Sequence, residues 1–493
     1  KEETKEVGKL DGKEVEAVAN PEPAKSKVAN DDIEKKADKA DRSHSAKERA
    51  EEPTKEDGAA TKKNNLVVEK VREETNTETK ALPSLPRYSL VLDAGSTGTR
   101  LNGFRFDENR SLRDVDDGRA QLYAASQPGL SSCKGNVTRV AELLRPLMEV
   151  ARAAVPAAER AKTPLALKAT AGLRLLPAAD AEAILAEAQR ILASYGFENA
   201  RTGIMDGSDE ASMQWLALNV LLGTQGSGKY VAVVDLGGAS MQVAYHLDAV
   251  QEEVKLQNMT TRIRLPLVPA PVDIYRRSYL GFGLMAMRAR VAKAAADLRD
   301  GNPCVARGSQ VELTYAGEHF NVAGNASSTG CVALVDRILF GREALSCKGA
   351  AAEDAVCASP GALGGVPGPL PAGRPLVACS FFFDLMQRVG RIEAGATEAR
   401  LNAGVFASDA ERVCSQKTAA ELMGSHETLA GKATDAAWLC ADLAYLHVVL
   451  SRVLAVADSA SLLLPKRVAG REAAWPLGAA LAQLAETGSE LVV

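Results

Sequence analysis

Two segments that lie far apart in the chain repeat one pattern: a short apolar run, an aspartate, then glycines with small hydroxyl residues. The first begins at Tyr88 and contains Asp93, and the second begins at Tyr230 and contains Asp235. A short apolar run bounded by glycine predicts a buried strand, so each aspartate stands where a strand ends. Helical patterns between the strands favour α/β layers, and two equivalent strand ends predict two similar lobes.

Both turns have the composition of a phosphate-binding loop. Glycines let backbone N–H groups approach an anion, and Ser or Thr hydroxyls add donors. The aspartate cannot bind phosphate directly because both are anions, but it can hold a hydrated Mg²⁺ or Ca²⁺ that the phosphates also bind. An ordinary hairpin would explain one such turn equally well. Two of them predict duplicated lobes that hold one nucleotide.

Other segments support the α/β prediction. Helical periodicity or apolar runs predict helices over 140–154, 180–195, 209–222 and 435–456, a strand over 165–169, and a Gly/Pro-rich surface loop over 359–374.

The segment from Gly223 to Tyr230 nearly matches the GxxxxGK[ST] phosphate-binding loop. It ends in Tyr instead of Ser or Thr, and its glycines precede a strand instead of following one. We therefore interpret it as a connecting turn.

The 493 residues exceed what one hydrophobic core usually serves, which again predicts two lobes. The net charge of −4 argues against a nucleic-acid partner, because such proteins usually carry a basic surface. The sequence predicts no membrane span, since the best candidate, Tyr445 to Leu464, contains Arg452 and Asp458, and we predict a buried helix there. The chain begins at Lys1, which suits a removed signal peptide, an omitted anchor or a trimmed soluble form.

The first 80 residues differ from the rest, because they are rich in Lys and Glu and contain no aromatic residue. Such a segment cannot bury a core and predicts a solvated stem or linker, with an interaction tail as the alternative. We assign residues 1–84 to a disordered charged stem, 85–206 with 467–493 to lobe I, and 207–466 to lobe II.

Eight cysteines are scattered without a CxxC pair or a zinc-like spacing. Their even number fits a disulfide-bonded secretory protein, while buried thiols in a cytosolic enzyme are the alternative. Glycosylation triplets at Asn109, Asn136, Asn258 and Asn325 favour the secretory interpretation.

Five motifs, in order between Tyr88 and Leu481, resemble those of the nucleoside triphosphate diphosphohydrolase family of apyrases and guanosine diphosphatases. The motifs are VLDAGSTGTR from Val91, KATAGLR from Lys168, GSDEASMQW from Gly207, VDLGGASMQ from Val234 and a looser SFFFD from Ser380. The resemblance implies a two-lobed actin-like (ribonuclease H-like) α/β fold with duplicated mixed sheets flanked by helices. It also implies that the protein hydrolyses nucleotides with Mg²⁺ or Ca²⁺.

The resemblance implies a role for each matching residue. Glu210 corresponds to the general base that takes a proton from the attacking water, and Thr170 supports that base and the terminal phosphate. Ser240 and Gln242 position the water. Asp93 and Asp235 hold the metal through water, and the phosphate-binding loops are formed by Ser96, Thr97, Gly98, Thr99, Gly237, Gly238 and Ala239.

Several of these residues have a second interpretation. Glu210 also suits a first-turn acid favoured by the helix dipole, but Trp215 at the family's spacing favours the catalytic role. Arg100 and Arg174 are either phosphate contacts or salt bridges that support the loops. Ala211 and Met241 replace the family's usual Gly and Thr without removing a catalytic group.

The aromatic motif and one tyrosine lead to a prediction for the nucleobase. The resemblance implies that Phe383 and Tyr279 contact the base, while core packing is the alternative for Phe381 and Phe382 and is favoured for at least one of them.

The resemblance also gives the cysteines partners: Cys304 with Cys331, Cys414 with Cys440, and Cys347 with Cys357 as a third pair. Cys133 and Cys379 stay unassigned.

The chain is most similar to Golgi-type nucleoside diphosphatases, which act on GDP and UDP. That branch implies a Golgi-luminal type II protein, with membrane contact only through an N-terminal anchor outside this chain. The alternatives are a secreted or surface apyrase acting on ATP and ADP, and an actin-like kinase or nucleotide-binding protein without hydrolase activity.

Overall fold

The computed structural model describes residues 87–487, apart from 110, 198, 225–226, 248–259, 266–269, 341–369, 371–373, 416–417, 426–428 and 430. The predicted stem, the Cys347–Cys357 pair, Asn258 and nearly all of the predicted 359–374 loop lie outside the described residues.

The first lobe is built on a six-stranded sheet. Its strands are β1 (Tyr88–Ala94), β2 (Thr99–Phe106), β3 (Leu112–Arg113), β4 (Leu122–Ser126), β5 (Leu165–Ala169) and β6 (Ala200–Ile204). The order is β3-β2-β1-β5-β6, and β4 pairs with β2. Its helices are α1 (Arg139–Ala154), α2 (Ala157–Arg160), α3 (Ala171–Arg174) and α4 (Ala178–Ala193).

The second lobe is built on a seven-stranded sheet. Its strands are β7 (Ala232–Leu236), β8 (Ser240–His246), β9 (Thr260–Ile263), β10 (Val272–Leu280), β13 (Leu376–Ser380), β14 (Glu398–Asn402) and β15 (Ser461–Pro465), and β11 (Gln310–Tyr315) with β12 (Glu318–Ala323) forms a separate hairpin. The helices of this part of the chain are α5 (Gly207–Leu221), α6 (Leu284–Ala294), α7 (Ser328–Phe340), α8 (Phe381–Arg388), α9 (Gly404–Cys414), α10 (Ala419–Ser425) and α11 (Ala433–Val448).

The two sheets repeat one arrangement at their centres. In the first, β1 pairs antiparallel with β2 and parallel with β5. In the second, β7 pairs antiparallel with β8 and parallel with β13. Each aspartate of the repeated motif lies near the end of the central strand. The predicted two-lobed α/β fold with duplicated mixed sheets is therefore confirmed, while the residue boundaries of the lobes stay a prediction.

Helix α5 lies between the two sheets. On one side it packs against β8 and β10, and on the other against α12 (Pro476–Thr487), which covers β1. The chain reaches α12 through a small hairpin of β16 (Arg467–Val468) and β17 (Arg471–Glu472). Gly478 allows the two helices to approach closely, because a Cβ there would lie 2.1 Å from the carbonyl oxygen of Met213. Tertiary packing thus fixes α5 relative to both sheets.

One predicted helix ends earlier than the sequence indicated. Helix α11 is followed by a π-helical turn that ends at Val453, and Ser461 to Leu464 belong to strand β15. The prediction of one helix across Tyr445 to Leu464 is therefore wrong, because periodicity does not separate a short buried strand from a helix. The stretch Ala433–Val453 has the length and hydropathy of a membrane span, but 83% of its most apolar window is buried inside the protein.

Two disulfides cross-link the second lobe: one joins the segment between α6 and β11 to α7, and the other joins α9 to α11. Cys304 pairs with Cys331 and Cys414 with Cys440, as the resemblance implied. The segment between Gly223 and Tyr230 connects α5 to β7, in agreement with its interpretation as a turn. Within the described chain, Cys133 and Cys379 are buried free thiols.

Removing one disulfide should lower the free energy of unfolding. The Cys304–Cys331 bond spans 27 residues, and loop-closure entropy for a loop of that size corresponds to about 3–4 kcal/mol. Chemical denaturation of the Cys304→Ala/Cys331→Ala double variant should show this loss relative to the oxidised wild type. An unchanged midpoint and slope would contradict a stabilising role for the bond.

Candidate active site

A cavity of about 300 Å³ collects most of the predicted site residues. The lining contributed by these residues consists of Asp93, Ser96, Thr97, Thr170, Glu210, Asp235, Gly237, Gly238, Ala239, Ser240, Gln242 and Phe383. Gly98 and Thr99 lie behind it, since a Cβ at Gly98 would be 2.8 Å from the carbonyl oxygen of Ser126 and Thr99 is fully buried. A larger cavity of about 700 Å³, beside β2 and β3, contains none of the predicted site residues.

The two glycine-rich loops close tightly and touch each other. In the first, the Gly95 N–H donates to the Gly98 carbonyl at 3.0 Å, and in the second the Gly237 N–H donates to the Ser240 carbonyl at 3.0 Å. A Cβ at Gly238 would lie 2.6 Å from the hydroxyl oxygen of Ser96, so the loops can approach this closely only with glycine. The cavity is therefore bounded by backbone from both lobes.

Helix α6 anchors the second loop. The N–H groups of Leu284 and Met285 donate to the carbonyls of Gly237 and Gly238 at 2.9 and 2.8 Å. These bonds use the free N–H groups of the helix N-terminus and hold the loop carbonyls toward α6.

Glu210 lies in the first turn of α5, where Asp206 caps the helix by accepting from the Ser208 N–H at 2.7 Å. The Glu210 side chain is buried and accepts a hydrogen bond from Arg174 Nη2 at 2.8 Å. Burial, together with repulsion from Asp93 and Asp235, raises its pKa to about 8, although Arg174 acts in the opposite direction. A carboxyl group with a pKa near neutrality has the proton affinity that a general base needs.

Asp93 and Asp235 face the same cavity. Burial and the charge of Asp235 raise the pKa of Asp93 to about 6 against the opposing effect of Arg100, whose Nη1 lies 3.6 Å from Oδ2. Burial also raises the pKa of Asp235, partly offset by a 2.6 Å hydrogen bond from the Ser380 hydroxyl. The Oδ1 atom of Asp93 is buried without a hydrogen-bond partner among the described residues.

This donor set fits a hard divalent cation. The two aspartates offer carboxylate oxygens, the ligand type that Mg²⁺ and Ca²⁺ prefer. The unpartnered Asp93 Oδ1 is an acceptor that nothing in the described chain satisfies. Acidic side chains also outnumber basic ones in the cavity lining, with Asp384 and Glu472 added to the three central carboxylates against Arg100 and Lys466.

Ser240 and Gln242 lie on β8, next to β10. The Gln242 side-chain amide donates to the Ser240 hydroxyl at 2.7 Å and to the Ser278 hydroxyl at 2.9 Å. Because both amide hydrogens are used, Oε1 is the hydrogen-bonding atom that remains, and it is an acceptor. An acceptor beside Glu210 in the same cavity can orient a water molecule. The sequence suggested no role for Ser278, which pairs with Gln242 through the β8–β10 register.

The two arginines with alternative roles both form ion pairs. Arg174 pairs with Glu210 at 2.8 Å and is not part of the cavity lining, so the salt-bridge alternative describes it in this structure. Gly207 makes room for it, since a Cβ there would lie 2.2 Å from Arg174 Nη1. Arg100 pairs with Asp93 and also lines the cavity, so a phosphate contact is compatible with its position.

The aromatic predictions have different outcomes. Phe383 lines the cavity, and the Lys466 ammonium lies 5.6 Å from its ring centre. Phe382 packs against Phe406 in the core, as the core alternative predicted. Tyr279 is fully buried, and its hydroxyl lies 3.0 Å from that of Tyr275. In this structure Tyr279 packs in the core, and Phe383 is almost as deeply buried although it borders the cavity, so a nucleobase contact by either residue stays a prediction.

Comparison with known proteins gives one consistent result. Residues 79–490 match the GDA1/CD39 (nucleoside phosphatase) family. "Probable apyrase 2" of Oryza sativa subsp. japonica is 32% identical over 410 residues, which are 80% of this chain and 85% of that protein. "Nucleoside diphosphate phosphatase ENTPD5" of Homo sapiens is 29% identical, covering 81% of this chain and 88% of that protein.

The fold has a counterpart among solved structures. A crystal structure of nucleoside triphosphate hydrolases from Neospora caninum superposes with a TM-score of 0.57 at 15% identity, covering 81% of this chain and 93% of that one. At this identity the similarity concerns the fold alone. From the family match and the relatives together, the chain belongs to the GDA1/CD39 family and is a nucleoside phosphate hydrolase.

Proposed function

We propose that this hydrolase removes the terminal phosphate of nucleoside diphosphates, GDP and UDP first, with a divalent cation and with Glu210 as the general base. The observation that carries the proposal is the position of Glu210, buried in one cavity with Asp93 and Asp235. Similarity to relatives named as diphosphatases supports the substrate. Relatives named apyrase favour the second candidate, a broad apyrase that acts on ATP and ADP.

The mechanism begins with a water molecule between Glu210 and Gln242. Glu210 takes its proton, and the Gln242 Oε1 with the Ser240 hydroxyl holds the water in line with the terminal phosphorus. Water attacks the terminal phosphorus directly while its bond to the bridging oxygen breaks, so the products are inorganic phosphate and the nucleotide shortened by one phosphate, and no phosphoenzyme forms. Backbone N–H groups of the two loops, with the Ser96 and Thr97 hydroxyls, stabilise charge on the equatorial oxygens, where most of the catalysis of phosphoryl transfer arises.

Asp93 and Asp235 are the residues that would hold Mg²⁺ or Ca²⁺, acting largely through water. When bound, the cation supplies positive charge that offsets the phosphate oxygens and the leaving group. Thr170, buried at the start of α3, lines the cavity with Glu210 and adds a hydroxyl there. Arg174 orients the Glu210 carboxylate through its 2.8 Å hydrogen bond.

The compartment is part of the same proposal. Two disulfides favour an oxidising compartment. Asn109, Asn136 and Asn325 are exposed and therefore accessible to glycosylation. We place the enzyme in the secretory pathway, either in the Golgi lumen behind an N-terminal anchor outside this chain or secreted.

Replacing the base should stop turnover without stopping binding. Glu210→Gln keeps the size of the side chain but removes the proton acceptor, so we expect a loss in kcat of about 100-fold or more, with nucleotide affinity retained. The matched control is Asp209→Asn, which removes the neighbouring first-turn acid that pairs with Arg276 at the surface. Near-full activity of Glu210→Gln, or equal losses in both variants, would sink the assignment.

The metal-free protein should lose stability as pH rises. The folded-state pKa of Glu210 is raised from 4.5 to about 8 and that of Asp93 from 3.8 to about 6. The folded protein therefore binds more protons than the unfolded chain across this range, and stability falls as pH increases through it. Added Mg²⁺ should raise Tm more at about pH 8 than at about pH 5.5, because it offsets ionised carboxylates.

The control for this experiment is the Asp93→Asn/Asp235→Asn double variant in the same buffers. Its Tm should depend less on pH and respond less to Mg²⁺. If wild-type Tm rises from the acidic to the basic buffer in EDTA, the buried carboxylates do not carry the proposed charge.

Phosphate release from GDP, UDP, ADP, GTP and ATP, with Mg²⁺, Ca²⁺ or EDTA, tests the substrate. We expect EDTA-sensitive release that is faster from GDP and UDP than from ATP. Comparable rates on ATP would replace the diphosphatase by the apyrase candidate. Full activity in EDTA would show that hydrolysis does not require a divalent cation.

A further inference from the structure

Ser380 has an unusual backbone at the edge of the cavity. It ends β13 and precedes α8 with φ 60° and ψ −116°, a left-handed conformation that favours glycine. The other non-glycine residues with positive φ in the described chain are Ala316, Ala455 and Ala469. Ser380 is part of the cavity lining, and these three alanines are not. Backbone strain kept at a site by a residue other than glycine indicates that its side chain has a role there.

The Ser380 hydroxyl contacts one partner that belongs to the site. It donates to Asp235 Oδ1 at 2.6 Å. Strand β13 runs parallel to β7, with Cys379 beside Asp235 and Ser380 beside Leu236. The hydroxyl makes no capping bond to α8, although Ser380 holds the N-cap position. Helix capping therefore does not explain the serine.

The duplication of the lobes gives Ser380 a counterpart. In the first sheet, β5 lies parallel to the strand that contains Asp93, and Thr170 follows β5 as the residue before α3. In the second sheet, β13 lies parallel to the strand that contains Asp235, and Ser380 is the residue before α8. Both lobes thus place a hydroxyl at the end of the strand next to the aspartate.

The geometry points to Ser380 as a positioning residue that fixes the Asp235 carboxylate for the divalent cation; this inference rests on the proposed function. A donor on Oδ1 restricts rotation of the carboxylate and leaves Oδ2 to face the cation or its water ligands. Partners that orient a metal-holding carboxylate in this way typically change metal affinity 10–100-fold when removed. The hydroxyl reaches Asp235 on the neighbouring strand from this left-handed backbone.

Two variants separate the hydroxyl from the strained backbone. Ser380→Ala removes the hydroxyl and keeps a Cβ at positive φ, whereas Ser380→Gly removes the hydroxyl and relieves the strain. We expect both to bind Mn²⁺ about 10-fold more weakly, measured by the electron paramagnetic resonance signal of free Mn²⁺ in titrations of the nucleotide-free protein. Tm should be higher for Ser380→Gly than for Ser380→Ala.

The matched control for strain is Ala455→Gly, which changes a positive-φ alanine outside the cavity, with φ 51°. It should leave Mn²⁺ affinity unchanged. In steady-state assays, raising Mg²⁺ should restore most of kcat in both Ser380 variants, since Glu210 and the loops are intact. Mn²⁺ affinities within twofold of wild type in both variants would overturn the inference. So would a loss of Mn²⁺ affinity in Ser380→Ala alone, because the loss would then correlate with the lower Tm and not with the missing hydroxyl.

Asp235→Asn distinguishes this inference from the proposed function. If it weakens Mn²⁺ binding while both Ser380 variants do not, Asp235 holds the cation and the positioning role of Ser380 fails alone. If Asp235→Asn binds Mn²⁺ like the wild type, the proposed metal role fails, and the role of Ser380 fails with it.

Discussion

Three buried carboxylates line one cavity, and the loops and helices around it accommodate that unfavourable concentration of negative charge. Glu210, Asp93 and Asp235 are each desolvated, and repulsion from its neighbours raises the pKa of Glu210 further. Buried like charges destabilise a fold unless other charges compensate them. Arg100 and Arg174 provide part of that compensation. The packed strands β1 and β7 hold Asp93 and Asp235 in the cavity despite their charge.

The duplicated lobes each contribute one loop with an aspartate, Asp93 or Asp235, but the third carboxylate of the cavity, Glu210, comes from a helix that is not part of this repeat. Glu210 has one position, on α5, and α5 contacts the second sheet directly and the first through α12. Glu210 is thus placed relative to both loops by one helix. The close approach at Gly478 makes this placement sensitive to a single added methyl group, because a Cβ there would collide with the backbone of Met213. Packing of α12 against α5, one turn from Glu210, therefore helps to set where Glu210 lies relative to the two loops.

The sequence predicted what depends on local pattern and on motifs. The two strand–aspartate–glycine turns follow from composition, and resemblance assigned Glu210. Contacts that depend on strand register could not be derived, such as that of Gln242 with Ser278 across β8 and β10. Nor does an aromatic residue in a motif reveal whether its ring borders a cavity, as that of the half-buried Phe381 does, or packs only in the core, as that of Tyr279 does. That distinction is made by packing between distant segments.

The charge of the cavity also links metal and nucleotide binding. Asp384 and Glu472 extend the acidic lining beyond the central carboxylates, so the phosphates of a nucleotide that enters without a cation would be repelled. In the proposed mechanism, a cation held by the carboxylates would remove that repulsion and would itself bind more tightly once the phosphates are present. Because such coupling is reciprocal, each ligand strengthens the other by the same factor. If Ser380 orients Asp235 as proposed, loss of its hydroxyl would then lower the apparent nucleotide affinity through the cation.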